Sequence, residues 1–208
     1  MYRSGMDKAM AILRTRAPAN ELDYGFVMDC LKGYRSPRAK LTKLLNTGAL
    51  LRVKKGLYAF GTLFVRGSYS LETLANLIYG PSYVSLEWAL QFYGMIPEKV
   101  EEITSVTFKR KKTYETPLGR FSYAHRHPDA YPVGITCLEA NEYQNALIAT
   151  PEKALTDLLV IRRGRVSSIA ELEKILYEDL RIEAEDLVKL RPEKISRIQK
   201  TCPHSTIG

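Results

Sequence analysis

Few side chains in this sequence are placed to do covalent chemistry. His125 and His127 stand two apart in an alternating run, so a strand would point both to one face, where they could ligate a metal. No third or fourth ligand of matching spacing accompanies them, which favours ordinary histidines at a strand end. Ser82 and Ser85 precede a helical pattern, but no G-x-S-x-G elbow surrounds them, and capping is their expected role. Glu152 and Asp157 are five apart on one expected helix, a spacing that does not set two carboxylates side by side. Cys30, Cys137 and Cys202 are odd in number, far apart and without a C-x-x-C pair, so they read as reduced cytoplasmic thiols. No catalytic constellation emerges. The expectation is a protein that is not an enzyme, with no cofactor and no resident metal.

Phosphate recognition is the chemistry that the charge pattern favours. Residues 1–66 hold 13 Lys/Arg against 4 Asp/Glu, whereas residues 67–208 hold 18 against 19. The whole net charge of +8 therefore derives from the first third of the chain. A concentrated positive field suits a polyanion, and this one does not by itself separate DNA from RNA. The densest candidates are Arg35, Ser36, Arg38, Lys40, Thr42, Lys43, Asn46, Arg52, Lys54 and Lys55. One further basic run, Lys109-Arg110-Lys111-Lys112, lies outside this region. It reads either as a solvated hairpin end or as a second contact for phosphate, RNA or a protein partner.

The elements that must position the first set are legible from spacing. Between Arg35 and Phe60, Ser36 suits a helix cap and Pro37 a first helical turn. Leu41, Leu44 and Leu45 then share one face, leaving Arg35, Lys40, Thr42, Lys43 and Asn46 on the other and Arg38 at the edge. Asn46-Thr47-Gly48 stops the helix. The apolar runs Leu50–Val53 and Leu57–Phe60, joined by Lys54-Lys55-Gly56, predict a hairpin with a basic tip. A basic helix followed by a small basic hairpin is the pattern of a winged helix-turn-helix. Upstream, Met6, Ala9, Met10 and Leu13 predict a first helix with Lys8, Arg14 and Arg16 outward. Asp23 can cap a second, with Phe26, Val27, Cys30 and Leu31 inward. On this reading Lys40, Lys43 and Asn46 face the major groove, Arg35 and Arg38 sit nearer the phosphates, and Lys54 and Lys55 follow the backbone.

The polar joint Arg66-Gly67-Ser68 marks the expected boundary between a domain at 1–66 and one at 67–208. Beyond it, Leu71, Leu74, Ala75, Leu77 and Ile78 mark the inward face of a helix ending at Gly80-Pro81, and another is expected at Ser85–Tyr93. After Pro97 the period changes to two, predicting antiparallel strands at Thr104–Lys109, Thr113–Thr116, Arg120–Arg126, Gly134–Leu138 and Gln144–Ile148. Thr150-Pro151-Glu152 opens a further helix, and three shorter ones precede a frayed tail. Helices, then strands, then helices make the second domain α+β, with an antiparallel sheet and flanking helices. No apolar run approaches the ~20 residues of a membrane span. No apolar h-region follows the N-terminus, so no signal peptide, no membrane partner and a cytoplasmic location are expected.

Three segments of the second domain, PSYVSLEWALQFYGMIPE, ITSVTFKRKKTYETPLGRFSYAH and IATPEKALTDLL, resemble in that order the AbiEi family of antitoxins from type IV toxin–antitoxin systems, first met as phage-abortive-infection loci. The resemblance runs over roughly Leu57 to Val160, and VKKGLYAF resembles that family's exit from its winged helix. It implies a winged-helix autorepressor that binds repeats in double-stranded operator DNA upstream of its own operon. It also implies a C-terminal domain that counteracts a nucleotidyltransferase-like toxin without a stable complex. A homodimer on DNA is left open. The other reading is a stand-alone winged-helix regulator, whose second domain serves dimerisation or sensing.

Overall fold

The computed structural model describes residues 7–141, 144–164 and 166–201. Met6 and Cys202 lie outside them, as does nearly all of the expected tail. The chain divides into two compact units. One is Met1–Ser70 with Thr116–Leu118 and Asn141–Gln144, and the other is the remainder. Both mix helices with a sheet.

In the first unit, α1 (Lys8–Arg16) starts where the Asp7 carboxylate accepts the Ala9 N–H at 2.9 Å. A short strand, β1 (Glu21–Asp23), follows, and Asp23 then caps α2 (Tyr24–Leu31) by accepting the Phe26 N–H at 2.9 Å. α3 (Pro37–Asn46) precedes the hairpin of β2 (Leu50–Lys54) and β3 (Leu57–Phe60). β3 is the central strand, antiparallel to both neighbours in the order β1-β3-β2, and all of its side chains are buried. Met10 and Leu13 from α1, Val27 and Leu31 from α2, Leu41 and Leu44 from α3, and Leu50 and Phe60 from the hairpin make one core. Arg14 departs from its expected outward position. It is buried, donates to the Asn20 Oδ1 at 3.2 Å and lies 4.5 Å from the Phe60 ring centroid.

Asn20 also ties the polar joint Arg66-Gly67-Ser68 to the first unit. Its side chain accepts the Arg66 N–H at 3.1 Å and donates to the carbonyls of Arg66 at 2.9 Å and Ser68 at 3.2 Å. Tyr69 then donates its hydroxyl to the Phe60 carbonyl at 2.7 Å. The polar joint is stitched to the first core.

The second unit begins with α4 (Leu71–Ile78), β4 (Tyr83–Val84) and α5 (Leu86–Phe92). Leu77 is exposed, not inward, while Leu74, Ala75 and Ile78 carry the buried face. Strands β5 (Ile103–Thr107), β6 (Lys112–Thr116), β7 (Gly119–His125), β8 (Ile135–Asn141) and β9 (Gln144–Ala149) join β4 in a six-stranded sheet ordered β6-β7-β5-β4-β9-β8. The sheet is mixed, which corrects the antiparallel expectation. β4 is antiparallel to β5, but β5 pairs β7 and β4 pairs β9 in parallel. Alternation in a sequence reports which face a residue occupies, not which way the neighbouring strand runs. Here the chain leaves β5, travels out to β6 and returns between them as β7.

α6 (Pro151–Leu158) starts on the Thr150 hydroxyl and continues into a π-helical turn, Leu159–Arg163. α7 (Ile169–Glu173), also extended by a π-helical segment, precedes α8 (Ala184–Val188) and α9 (Pro192–Lys200). Among the described residues, no helix is long and apolar enough to cross a membrane.

Candidate nucleic-acid interface

The outer face of α3 follows from its buried one. Leu41 and Leu44 are buried and Leu45 is half-buried against the same core, which leaves Arg38, Thr42, Lys43 and Asn46 exposed. Arg35 and Ser36 are exposed just before the helix, and Arg52 and Lys55 on the hairpin. Among the described residues, no side-chain hydrogen bond or ion pair engages Arg35, Lys43, Arg52 or Lys55. Lys54 is half-buried beside them. Ser36 occupies the cap position of α3 without making a side-chain cap bond.

One residue that the sequence reading passed over brings helix and hairpin together. The Tyr24 N–H donates to the Gly56 carbonyl in the hairpin turn at 2.9 Å, and the Tyr24 hydroxyl accepts Arg38 Nε at 3.2 Å. The start of α2 thus holds the basic hairpin tip and the first turn of α3 within one residue's reach. Gly56 takes a φ of +86°, a backbone conformation that suits glycine. The first turn of α3 and the turn that follows Lys54 and Lys55 are thereby tied to the same residue.

Two members of the predicted set are diverted. Lys40 is half-buried, and its ammonium pairs with the Asp7 carboxylate at 2.7 Å and lies 5.2 Å from the Tyr34 ring centroid. It does not stand on the outer face. A helical wheel puts it roughly 70° from the centre of the buried stripe, as far round as Leu45 on the other side, so its long stem reaches α1. The Lys40 hydrogen bond, with lesser help from the Ala9 N–H, holds the Asp7 carboxyl below the usual range against the opposing effect of burial. Thr42 donates its hydroxyl back to the Arg38 carbonyl at 3.1 Å, leaving that oxygen only as an acceptor towards a ligand.

In the second unit, the residues weighed for catalysis resolve differently. β7 ends at His125, and His127 lies beyond it, capping the turn Pro128–Ala130. The two histidines therefore share no strand face. His125 Nδ1 lies 3.0 Å from the Lys109 carbonyl, and His127 Nδ1 lies 3.4 Å from the Asp129 carboxylate. Among the described residues, no group of three or more His, Cys, Asp or Glu is placed to hold a metal ion.

Ser85 stands at the start of α5 but makes no cap bond. Its hydroxyl, fully buried, donates to Asp157 Oδ2 at 3.0 Å, and the Tyr83 hydroxyl donates to the same oxygen at 2.8 Å. The other carboxylate oxygen of Asp157 lies 3.2 Å from Lys153 Nζ and 3.4 Å from Arg126 Nε. Lys153 and Asp157 are fully shut from water, and Arg126 nearly so. Burial, with Asp157 beside it, drives the Tyr83 phenol far above its ordinary value, so it stays a donor. Lys153 and Asp157 stand four apart on α6, a spacing readable in the sequence. Glu152 and Asp157, two acids five apart, are not the pair that matters; the cation four before Asp157 is.

No family model matches this chain, and no curated protein matches it.

Proposed function

We propose that the first unit is a winged helix-turn-helix that binds operator DNA, with α3 in the major groove and the β2–β3 hairpin as the wing. The observation that carries this reading is the pair of hydrogen bonds by which Tyr24 donates to the Gly56 carbonyl in the hairpin turn and accepts from Arg38 of α3, tying to one residue a helix and a hairpin that both carry exposed cations. A ten-residue helix is ~15 Å long, enough to lie across a major groove about 12 Å wide. Arg35 and Arg38 meet phosphates at the entry of α3, Lys43 and Asn46 face base edges, and Lys54 and Lys55 follow the backbone. Lys40 is absent from this readout set because Asp7 holds it.

The second unit, on this proposal, counteracts a nucleotidyltransferase-like toxin without a stable complex, and the first represses the operon that encodes both. The support is the resemblance of the three sequence segments to AbiEi antitoxins, together with the restriction of excess charge to the first unit. The test has two readouts on the full chain. Titration of labelled duplex from upstream of its own gene, against a scrambled duplex, should show a preference of at least about a thousandfold. Equal affinity for both would overturn the operator reading. Co-expression with the neighbouring toxin gene should restore growth. Failure to rescue beside intact operator preference would leave a stand-alone regulator.

A further inference from the structure

Residues 67–208 carry 18 Lys/Arg against 19 Asp/Glu, yet four cations stand consecutively at Lys109–Lys112. Topology fixes where they lie. β7 runs parallel to β5 and β6 lies outside it, so the chain leaving β5 crosses the end of β7 to reach β6. That crossing is the segment 108–111, and it is braced. The Lys109 carbonyl lies 3.0 Å from His125 Nδ1, the Lys109 N–H donates to Thr107 Oγ1 at 3.2 Å, and Lys109 Nζ donates to the Gly80 carbonyl at 2.6 Å. All four cationic side chains are exposed, and among the described residues none forms an ion pair with a carboxylate. The fold holds like charges together without neutralising them.

Beside them lies an aromatic floor. Tyr79, Tyr114 and Tyr123 pack with ring centroids 5.2 to 5.9 Å apart. Tyr123 is buried and anchored by its hydroxyl on the Ala75 carbonyl at 2.6 Å, while Tyr79 and Tyr114 are half-exposed. Lys112 Nζ hovers 4.9 Å from the Tyr114 centroid and 5.6 Å from that of Tyr79, and Lys109 Nζ lies 5.5 Å from Tyr79. An unneutralised run of cations accepts any polyanion, but half-exposed rings beside it add a surface on which unpaired bases stack. A duplex hides those base faces.

We propose that this crossing segment and its tyrosines, all in the second unit, are a binding site for single-stranded polynucleotide that does not need the operator contacts of the first unit. Arg110 and Lys111 hold phosphates. Lys112 swings from the rings to a neighbouring phosphate, and bases stack on Tyr114 and Tyr79.

The test uses the full chain with Arg35, Arg38, Lys43, Asn46, Lys54 and Lys55 of the first unit all replaced by Ala, so that its base and phosphate contacts do not obscure the reading. The probes are fluorescein-labelled oligo(U), oligo(dT) and a duplex of equal length, followed by anisotropy across a salt series. Arg110→Ala with Lys111→Ala, two exposed side chains, should weaken single-strand binding about tenfold and reduce the salt slope by about 1.4. Tyr114→Leu should weaken oligo(U) about tenfold while leaving inorganic polyphosphate binding unchanged, and Tyr114→Phe should retain oligo(U) binding. Preference for oligo(U) over oligo(dT) would assign RNA, and parity would assign single strands of either sugar. Unchanged binding in the Arg110/Lys111 variant, or duplex bound as tightly as single strand with Tyr114→Leu silent, would overturn the proposal. The duplex result would leave a backbone contact.

Discussion

The two units put charge to opposite uses. On α3 and its hairpin, cations stand in water with few partners; at the heart of the second unit, Lys153, Arg126 and Asp157 are closed off from it. An exposed cation costs the fold little and stays available to a phosphate. A buried one is part of the fold, because deleting its counter-charge leaves an ion shut from water with its charge unbalanced. The first surface should therefore tolerate substitution residue by residue, losing binding alone. The second should tolerate no single deletion.

The largest effect expected from this contrast is at Asp157. Asp157→Ala removes the carboxylate that balances the buried charges of Lys153 and Arg126 and the acceptor of the Tyr83 and Ser85 hydroxyls, so it should destabilise the second unit by about 3–5 kcal/mol. Urea unfolding followed through Trp88, the single tryptophan and a residue of α5, reads that unit directly. Replacing Lys153, Asp157 and Arg126 together by apolar side chains of similar volume should recover much of the loss. A cost below about 1 kcal/mol for Asp157→Ala would remove the contrast at its strongest point.

At the opposite pole, Lys54→Ala with Lys55→Ala should weaken all duplexes alike, at a small cost in unfolding that comes from the half-buried Lys54 rather than the exposed Lys55. Two lost phosphate contacts reduce the salt slope by roughly two and affinity by about fiftyfold at 0.1 M salt. A slope equal to that of the unmodified chain would mean that the hairpin tip does not meet DNA.

How legible this was from the sequence follows from the range of each interaction. α3, its cap position, its stop and the hairpin depend on neighbours within a few residues, and each lies where the spacing puts it. β1 did not show, because three residues are too few to display a period and its partner is β3, far along the chain. Arg14 and Lys40 look like surface cations by type. Phe60 and Asp7, distant in sequence, decide otherwise. The mixed sheet was hidden for the same reason: the sequence carries the pleat, whereas direction depends on β6 being passed over. Of the buried cluster only the Lys153–Asp157 spacing was local. Tyr83, Ser85 and Arg126 join it through tertiary structure alone.

Within the exposed surface, Asn46 and the hairpin lysines should separate by kind. Asn46 is exposed in the last turn of α3, and an amide can pair in two places with adenine. Asn46→Ala should cost about 1–3 kcal/mol on the operator and little on scrambled duplex, compared by competition titration. Equal losses on both would move Asn46 from reading bases to holding backbone.

The smallest effect falls on the residue that crosses between the two uses of charge. Lys40 belongs to the basic helix by sequence, but its pair with Asp7 is partly screened from water, with 16% and 33% of the two side chains exposed. Lys40→Ala should therefore weaken operator binding far less than Lys43→Ala and instead loosen the start of α1 by less than about 1 kcal/mol. Acid gives the same interaction a signature. Because the Asp7 carboxyl is held below its ordinary value near 3.8, its stabilisation is fully present above that value. The stabilisation is lost as pH falls through it to the lower folded one. Hydrogen-exchange protection of the Ala11 amide, which bonds the Asp7 carbonyl at 3.0 Å, should be lower in Lys40→Ala than in the unmodified chain at pH 7. The gap should close once both are acidified below the folded value. If Lys40→Ala matched Lys43→Ala in lost affinity, the Asp7 pair would have to open on DNA, and Lys40 would return to the groove-facing set.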